Sequence, residues 1–181
     1  EVNDEALKRG MDRIKGFLAE GVKRGKSTAA QMDETLGNLS GTTALADLKE
    51  CGLVIEAVVE NLEEKRKVWA ELDRVCGPEA IFASNTSSIS ITAQSAATKR
   101  MSRFIGLHFM NPVPIMKLVE IVRPEVASEE TYQAAKAFAQ SLGKTVITAK
   151  DTPGFVVNLL LVPYLCEAVR AVESGLATPE D

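Results

Sequence analysis

Apolar and polar residues recur along this chain with two periods, and the places where the period changes divide it into elements. Ala6, Met11, Ile14, Leu18 and Val22 follow near helical spacing behind Asn3, a capping residue, and predict a helix from about Asp4 to Lys23. A second helix is expected from about Thr28 to Leu36, stopped by Gly37. Short β-type runs come next, at Leu39–Thr43, Leu53–Val58, Ile81–Ser84, Phe104–His108, Lys117–Val122 and Thr145–Thr148. Leu53-Val54-Ile55-Glu56-Ala57-Val58 is almost continuously apolar, as a strand covered on both faces is, and Glu63 to Val75 behind it has a helical pattern. Ala80 to Ser84 repeats that arrangement ahead of a helix over Ile91–Ala97, and Ser128 starts a further amphipathic helix that closes at Leu142 and Gly143. Strands alternating with helices predict a layered α/β sheet.

The pattern changes after Asp151-Thr152-Pro153-Gly154. Phe155 to Glu173 is helix-like and strongly apolar, it contains Pro163, and no strand signal follows. A boundary near residue 150 is expected, with residues 1–150 forming the α/β domain and residues 151–181 beginning a helical one. Thr178-Pro179-Glu180-Asp181 has the cap, proline and acidic first turn of a helix about to begin. There is no internal repeat and no low-complexity tract.

Composition narrows the classes. With 181 residues, 45% hydrophobic and 25% charged, the chain can bury an ordinary core. A net charge of −4 and the lack of a basic cluster argue against nucleic acid as a partner. The densest basic run, Lys23 to Lys26, is expected to be the solvated end of a helix. No apolar run approaches the roughly 20 residues that span a bilayer, so no membrane partner is expected. Cys51, Cys76 and Cys166 are odd in number, far apart and in apolar surroundings, which suits reduced core thiols better than disulfides or a metal site. The opening Glu1-Val2-Asn3-Asp4 is not a signal peptide, and Glu1 is not expected to be the natural N-terminus. An Ala-rich chain without a targeting segment suggests a bacterial cytoplasmic protein, with the mitochondrial matrix as the other compartment in view.

The chemistry-bearing positions cluster at predicted strand ends. His108, the single histidine, ends a β-type run and is followed by the proline-punctuated turn Asn111-Pro112-Val113-Pro114, after which Glu120 lies in the next run. If the turn brings the two runs together, a carboxylate can hold one imidazole nitrogen while the other accepts a proton from an alcohol. By spacing alone, a lone histidine at a strand end is more often structural than catalytic, and Glu120 alone reads as a solvated strand residue. Ser84-Asn85-Thr86-Ser87-Ser88 follows a buried-strand pattern, where ligands of parallel sheets gather, and its bland alternative is an N-cap and turn cluster. Glu60, Asn61 and Lys65, beyond Leu53–Val58, read singly as capping and helix-surface charges.

Taken together these strings say more. Val58-Val59-Glu60-Asn61-Leu62, Ala83-Ser84-Asn85-Thr86-Ser87-Ser88, Gly106-Leu107-His108-Phe109-Met110-Asn111-Pro112-Val113-Pro114, Met116-Lys117-Leu118-Val119-Glu120 and Lys150-Asp151-Thr152-Pro153-Gly154-Phe155-Val156-Val157-Asn158 stand in the order and spacing of the 3-hydroxyacyl-CoA dehydrogenases, and the chain resembles that family over nearly its whole length, loosely before residue 50. The resemblance implies a Rossmann-like, mostly parallel sheet with flanking helices, followed by the start of an all-helical C-terminal domain. It implies NAD as cofactor, an acyl-CoA thioester as substrate and a homodimer formed through the C-terminal domain. His108 matches the family's catalytic base, Glu120 the carboxylate that orients it, Ser87 the hydroxyl that contacts substrate and Asn158 the amide near the reacting carbon. Glu60, Lys65 and Asn111 match positions lining the NAD pocket, with Ser87 close to both ligands, and Glu1 matches the acid that takes the adenosine ribose hydroxyls. Three departures stand out: no Gly-x-Gly-x-x-Gly turn is present, the sequence stops after one helix of the C-terminal domain, and Leu159 stands where the family usually has Arg. The fragment alone is therefore expected to be inactive, and a non-catalytic structural or CoA-binding relative is the alternative from another class.

Overall fold

The computed structural model describes residues 1–180, which divide into two compact units, Glu1–Lys49 and the chain from Glu50 onward. In the first unit α1 spans Asp4–Lys23 and α2 spans Ala29–Gly37. Asn3 caps α1 by accepting from the Ala6 N–H, and Thr28 and Gln31 form a reciprocal capping box on α2. Lys23 to Lys26 is exposed at the end of α1, as its charge density leads one to expect.

Leu39–Thr43 is not a strand. The Thr42 hydroxyl accepts from the Ala44 N–H and donates to Asp47, which bends the chain into the short 3₁₀ turn Leu45–Leu48, and a β-type run without a neighbour to pair with stays irregular.

The second unit is built on a five-stranded sheet in the order β1 (Leu53–Glu56), β2 (Ile81–Ser84), β3 (Phe104–Phe109), β4 (Leu118–Arg123), β5 (Thr145–Lys150). β1, β2 and β3 are parallel, as are β4 and β5, and the one antiparallel pair, β3 with β4, follows from the short turn between them. The helices are α3 (Leu62–Val75), α4 (Ile91–Ser95), α5 (Glu129–Ser141) and α6 (Val157–Glu173).

Alternation along β3 sorts the core. Ile105 and Leu107 pack with Ala83, Val119 and Ile121 against Ala135 and Ala139 of α5. On the opposite face Phe104 meets Phe82 and Trp69 of α3 in a fully buried aromatic cluster, and the Trp69 indole N–H donates to the buried Gln94 at 3.1 Å. Gly106 lies on this face because a Cβ there would stand 2.6 Å from that of Val122 and about as close to Ile91. His108 is next along the same face.

The helix expected over Phe155–Glu173 is present as α6 and runs through Pro163. Its apolar side is bare: Leu160, Leu161, Val162, Leu165 and Val169 are all exposed among the described residues. Cys166 lies on this helix and is exposed, so it is not the core thiol its neighbours suggest. Cys76 is buried, which pushes its thiol upward from the ordinary value, and Cys51 is half-buried. Pro179 and Glu180 form a turn, and the helix start expected over Thr178–Asp181 ends on Asp181, outside the described residues. No helix among the described residues is long and apolar enough to cross a membrane.

Candidate active site

β3 and β4 pair so that His108 stands directly opposite Glu120. Residues opposite one another on an antiparallel pair share a face, and here Nδ1 of His108 lies 2.7 Å from Oε2 of Glu120. The carboxylate is completely buried, and its other oxygen accepts the N–H groups of Val156 and Val157 at 2.9 and 3.0 Å. These N–H groups at the start of α6 have no acceptor within the helix, and the helix dipole there also favours a negative charge. The turn at Gly154 and Phe155, both with positive φ, aims the helix start at Glu120, and the buried Phe155 ring packs edge-on to the imidazole at 5.6 Å.

The outer nitrogen, Nε2, lies 3.1 Å from the hydroxyl of Ser87, which is exposed. The loop carrying Ser87 leaves β2 at Ser84 and is held at several points. Asn85 accepts from the Phe109 N–H at 2.9 Å, and Glu60 accepts the Thr86 hydroxyl, the Ser87 N–H at 3.2 Å and the Ser88 hydroxyl at 3.4 Å. Burial pushes the Glu60 carboxyl up more strongly than any other single influence, yet the Thr86 hydroxyl and the nearby Lys65 charge together hold it below the ordinary range. The N-cap of α4 is Ser90 and not the Ser84–Ser88 string, but the string does form a turn: Thr86 Oγ1 accepts the Ser88 and Ile89 N–H groups, Ser84 and Thr86 are buried, and Ser87 and Ser88 are exposed. Asn158, near the start of α6, donates from its amide to the Ser87 carbonyl at 3.3 Å.

Four of the expected residues thus meet: Ser87, His108, Glu120 and Asn158 form one connected group at the carboxyl ends of β2 and β3. Glu60 joins it through the Ser87 loop. Lys65 is not a helix-surface charge; it lies on the inner side of α3, only 1% exposed, and bonds Glu56 at 2.6 Å and Glu60 at 3.2 Å. Asn61 does cap α3, as its bland reading holds. Asn111 is exposed at the start of the turn between β3 and β4, three residues beyond His108. Glu1 belongs to the first unit, where its backbone nitrogen donates to the Thr42 carbonyl at 2.8 Å.

Two residues that the sequence did not single out help to build the site. Glu56 looked like one polar interruption in an apolar run, and an acid at the end of a buried strand was the signal available. Asp151 accepts two backbone and two hydroxyl hydrogen bonds from Ser90, Ile91 and Thr92, tying the segment before α6 to the start of α4. Among the described residues no group of three or more His, Cys, Asp or Glu side chains is arranged to hold a metal.

Known proteins share this arrangement of elements. Residues 1–152 match the model of the 3-hydroxyacyl-CoA dehydrogenase, NAD binding domain. A 3-hydroxybutyryl-CoA dehydrogenase of Mycobacterium tuberculosis is 51% identical over 174 residues, which is 95% of this chain and 61% of that protein. The mitochondrial hydroxyacyl-coenzyme A dehydrogenase of Homo sapiens is 46% identical over 165 residues, 91% of this chain and 52% of that one. The crystal structure of (S)-3-hydroxybutyryl-CoA dehydrogenase PaaH1 from Ralstonia eutropha has a TM-score of 0.95 at 44% identity, covering 99% of this chain and 63% of its own. The chain therefore spans between about half and two thirds of these relatives' length. With the family model matching residues 1–152 and relatives about half identical over nearly the whole chain, the chain belongs to the 3-hydroxyacyl-CoA dehydrogenase family.

Proposed function

We propose that the full-length protein oxidises a 3-hydroxyacyl-CoA to the 3-ketoacyl-CoA with NAD, using His108 as general base. The observation that carries this is the line Ser87–His108–Glu120, with contacts of 3.1 and 2.7 Å at the carboxyl ends of parallel strands. Glu120, spent on His108 Nδ1 and two backbone N–H groups, holds the imidazole in the tautomer whose Nε2 is free to accept a proton, and it stabilises the imidazolium that results. The Ser87 hydroxyl, exposed beside Nε2, orients the substrate oxygen, and Asn158 holds the Ser87 loop near the reacting carbon. In the reaction the 3-hydroxyl proton goes to Nε2 of His108 while C3 gives up its hydride, and the base later returns its proton to water.

NAD supplies the hydride acceptor when bound. The residues present fit its nicotinamide end: Val58 and Val59 are exposed apolar surface beyond β1, beside the Glu60 carboxylate and the Ser87–Ser88 hydroxyls. Glu60 and Asn111 would flank that pocket with Lys65 beneath Glu60. The bare apolar side of α6 supports a C-terminal helical domain that begins near residue 151 and carries the homodimer interface. We place the protein in the cytoplasm. The reading is tested by following NADH formed from 3-hydroxybutyryl-CoA by the full-length protein and its His108→Gln variant. Turnover that collapses in the variant supports the assignment, whereas a folded, inert wild type over short and long acyl chains overturns it and leaves a non-catalytic relative.

A further inference from the structure

We infer that Glu56 and Lys65 are a buried positioning pair that sets the Ser87 hydroxyl against His108, acting through Glu60. The inference rests on reading Ser87 and His108 as the reacting face of the site. Both side chains of the pair are 1% exposed, with Lys65 Nζ 2.6 Å from Glu56 Oε1. Two charges withdrawn from water gain little net stability, because well-packed apolar residues of similar volume often do as well. What such a pair does provide is fixed geometry.

The bonds of this pair run in one direction, toward the Ser87 loop. Glu56, the last residue of β1, also accepts the Val58 N–H at 2.6 Å on Oε1 and the Ser84 hydroxyl at 2.7 Å on Oε2. Ser84 in turn accepts the Thr86 N–H at 3.3 Å. Lys65 reaches past Glu56 to Glu60 Oε2 at 3.2 Å, and the other oxygen of Glu60 takes Thr86, the Ser87 N–H and Ser88. The loop that presents Ser87 is thereby held from both sides, through Ser84 and through Glu60. Lys65 is the single cation bonded to these two carboxylates among the described residues. Removing it leaves Glu60 without its counter-ion and frees the loop, and Ser87 drifts from Nε2.

The experiment uses the full-length protein with Lys65→Met and the double variant Glu56→Gln/Lys65→Met, which keeps the side-chain shapes and leaves no lone buried charge. Glu60→Ala cuts the same link from its exposed end, should the buried variants fail to fold. Asp73→Asn breaks another little-exposed ion pair, with Arg100, away from the loop, and serves as a control for destabilisation alone. Thermal melting establishes folding. The imidazole ¹H–¹⁵N resonances of His108, assigned by their loss in the His108→Gln variant, are then followed through a pH titration without ligand. Folded link variants are expected to move the Nε2 resonance and its titration, and to lower kcat for 3-hydroxybutyryl-CoA by about three- to tenfold, the ceiling set by losing the Ser87 hydroxyl, with KM for the thioester nearly unchanged. Asp73→Asn is expected to lower Tm and leave the imidazole signals in place. Folded link variants with a wild-type His108 spectrum and titration would overturn the inference. Because that spectrum needs no substrate, a wild type that fails to turn over overturns only the functional reading.

Discussion

Glu120→Gln and Glu120→Ala separate the two tasks of one buried carboxylate. In Gln the carbonyl oxygen can still accept the Val156 and Val157 N–H groups, while its NH₂ replaces the oxygen that lies 2.7 Å from His108 Nδ1. An NH₂ can only donate to that nitrogen, so the proton moves to Nε2, the wrong tautomer for a base. Losing the base costs about 10²- to 10⁴-fold in kcat, or roughly 3 to 5 kcal/mol of barrier. Stability is expected to fall modestly, since both backbone donors keep a partner. Alanine instead leaves two N–H groups unpaired at the start of α6, at about 1 to 3 kcal/mol each, hence about 2 to 6 kcal/mol together. At roughly 2 °C per kcal/mol for the longer full-length protein, Tm drops by about 4 to 12 °C. NADH formation and thermal melting of the same preparations read the two effects. A Gln variant that retains kcat within about threefold of wild type would refute the tautomer argument. Equal Tm losses in both variants would refute the assignment of the N–H bonds.

Other expectations follow from single contacts. Ser87→Ala removes the hydroxyl at Nε2 and should lower kcat by about three- to tenfold, the worth of one ordinary hydrogen bond, as read in the same NADH assay. Trp69→Ala empties the fully buried aromatic cluster and strands Gln94, so a loss of about 3 to 5 kcal/mol is expected in a denaturant melt. Burial alone would raise the Asp151 carboxyl, but its hydrogen bonds from Thr92, Ile91 and Ser90 hold it below the ordinary 3.8. The unfolded chain then binds more protons in the window below 3.8, so Asp151 contributes stability fully present above that pH and lost as pH falls through the lower folded value. Melting temperatures on the acid side should therefore fall less steeply in Asp151→Asn than in wild type; parallel curves would contradict the shift.

Hydrophobic periodicity alone determined most elements of this protein. α1, β2 and the strands around His108 and Glu120 lie where the pattern puts them, to within a residue or two, because helical and strand periods are local properties of a few consecutive side chains. The same local view failed at Leu39–Thr43, where a hydroxyl turned the backbone and no neighbouring strand existed to pair with it. It also misjudged Lys65, since a helix pattern tells which residues share a face but not which face has a carboxylate waiting beneath it. The site belongs to tertiary structure. His108 meets Glu120 only through an antiparallel register, and meets Ser87 only because two parallel strands end together. Glu120 meets the start of α6 across 36 residues of chain, and Asn158 meets Ser87 across 71. Contacts of such separation depend on which strands pair and in what register, and no local pattern of apolar and polar residues encodes that.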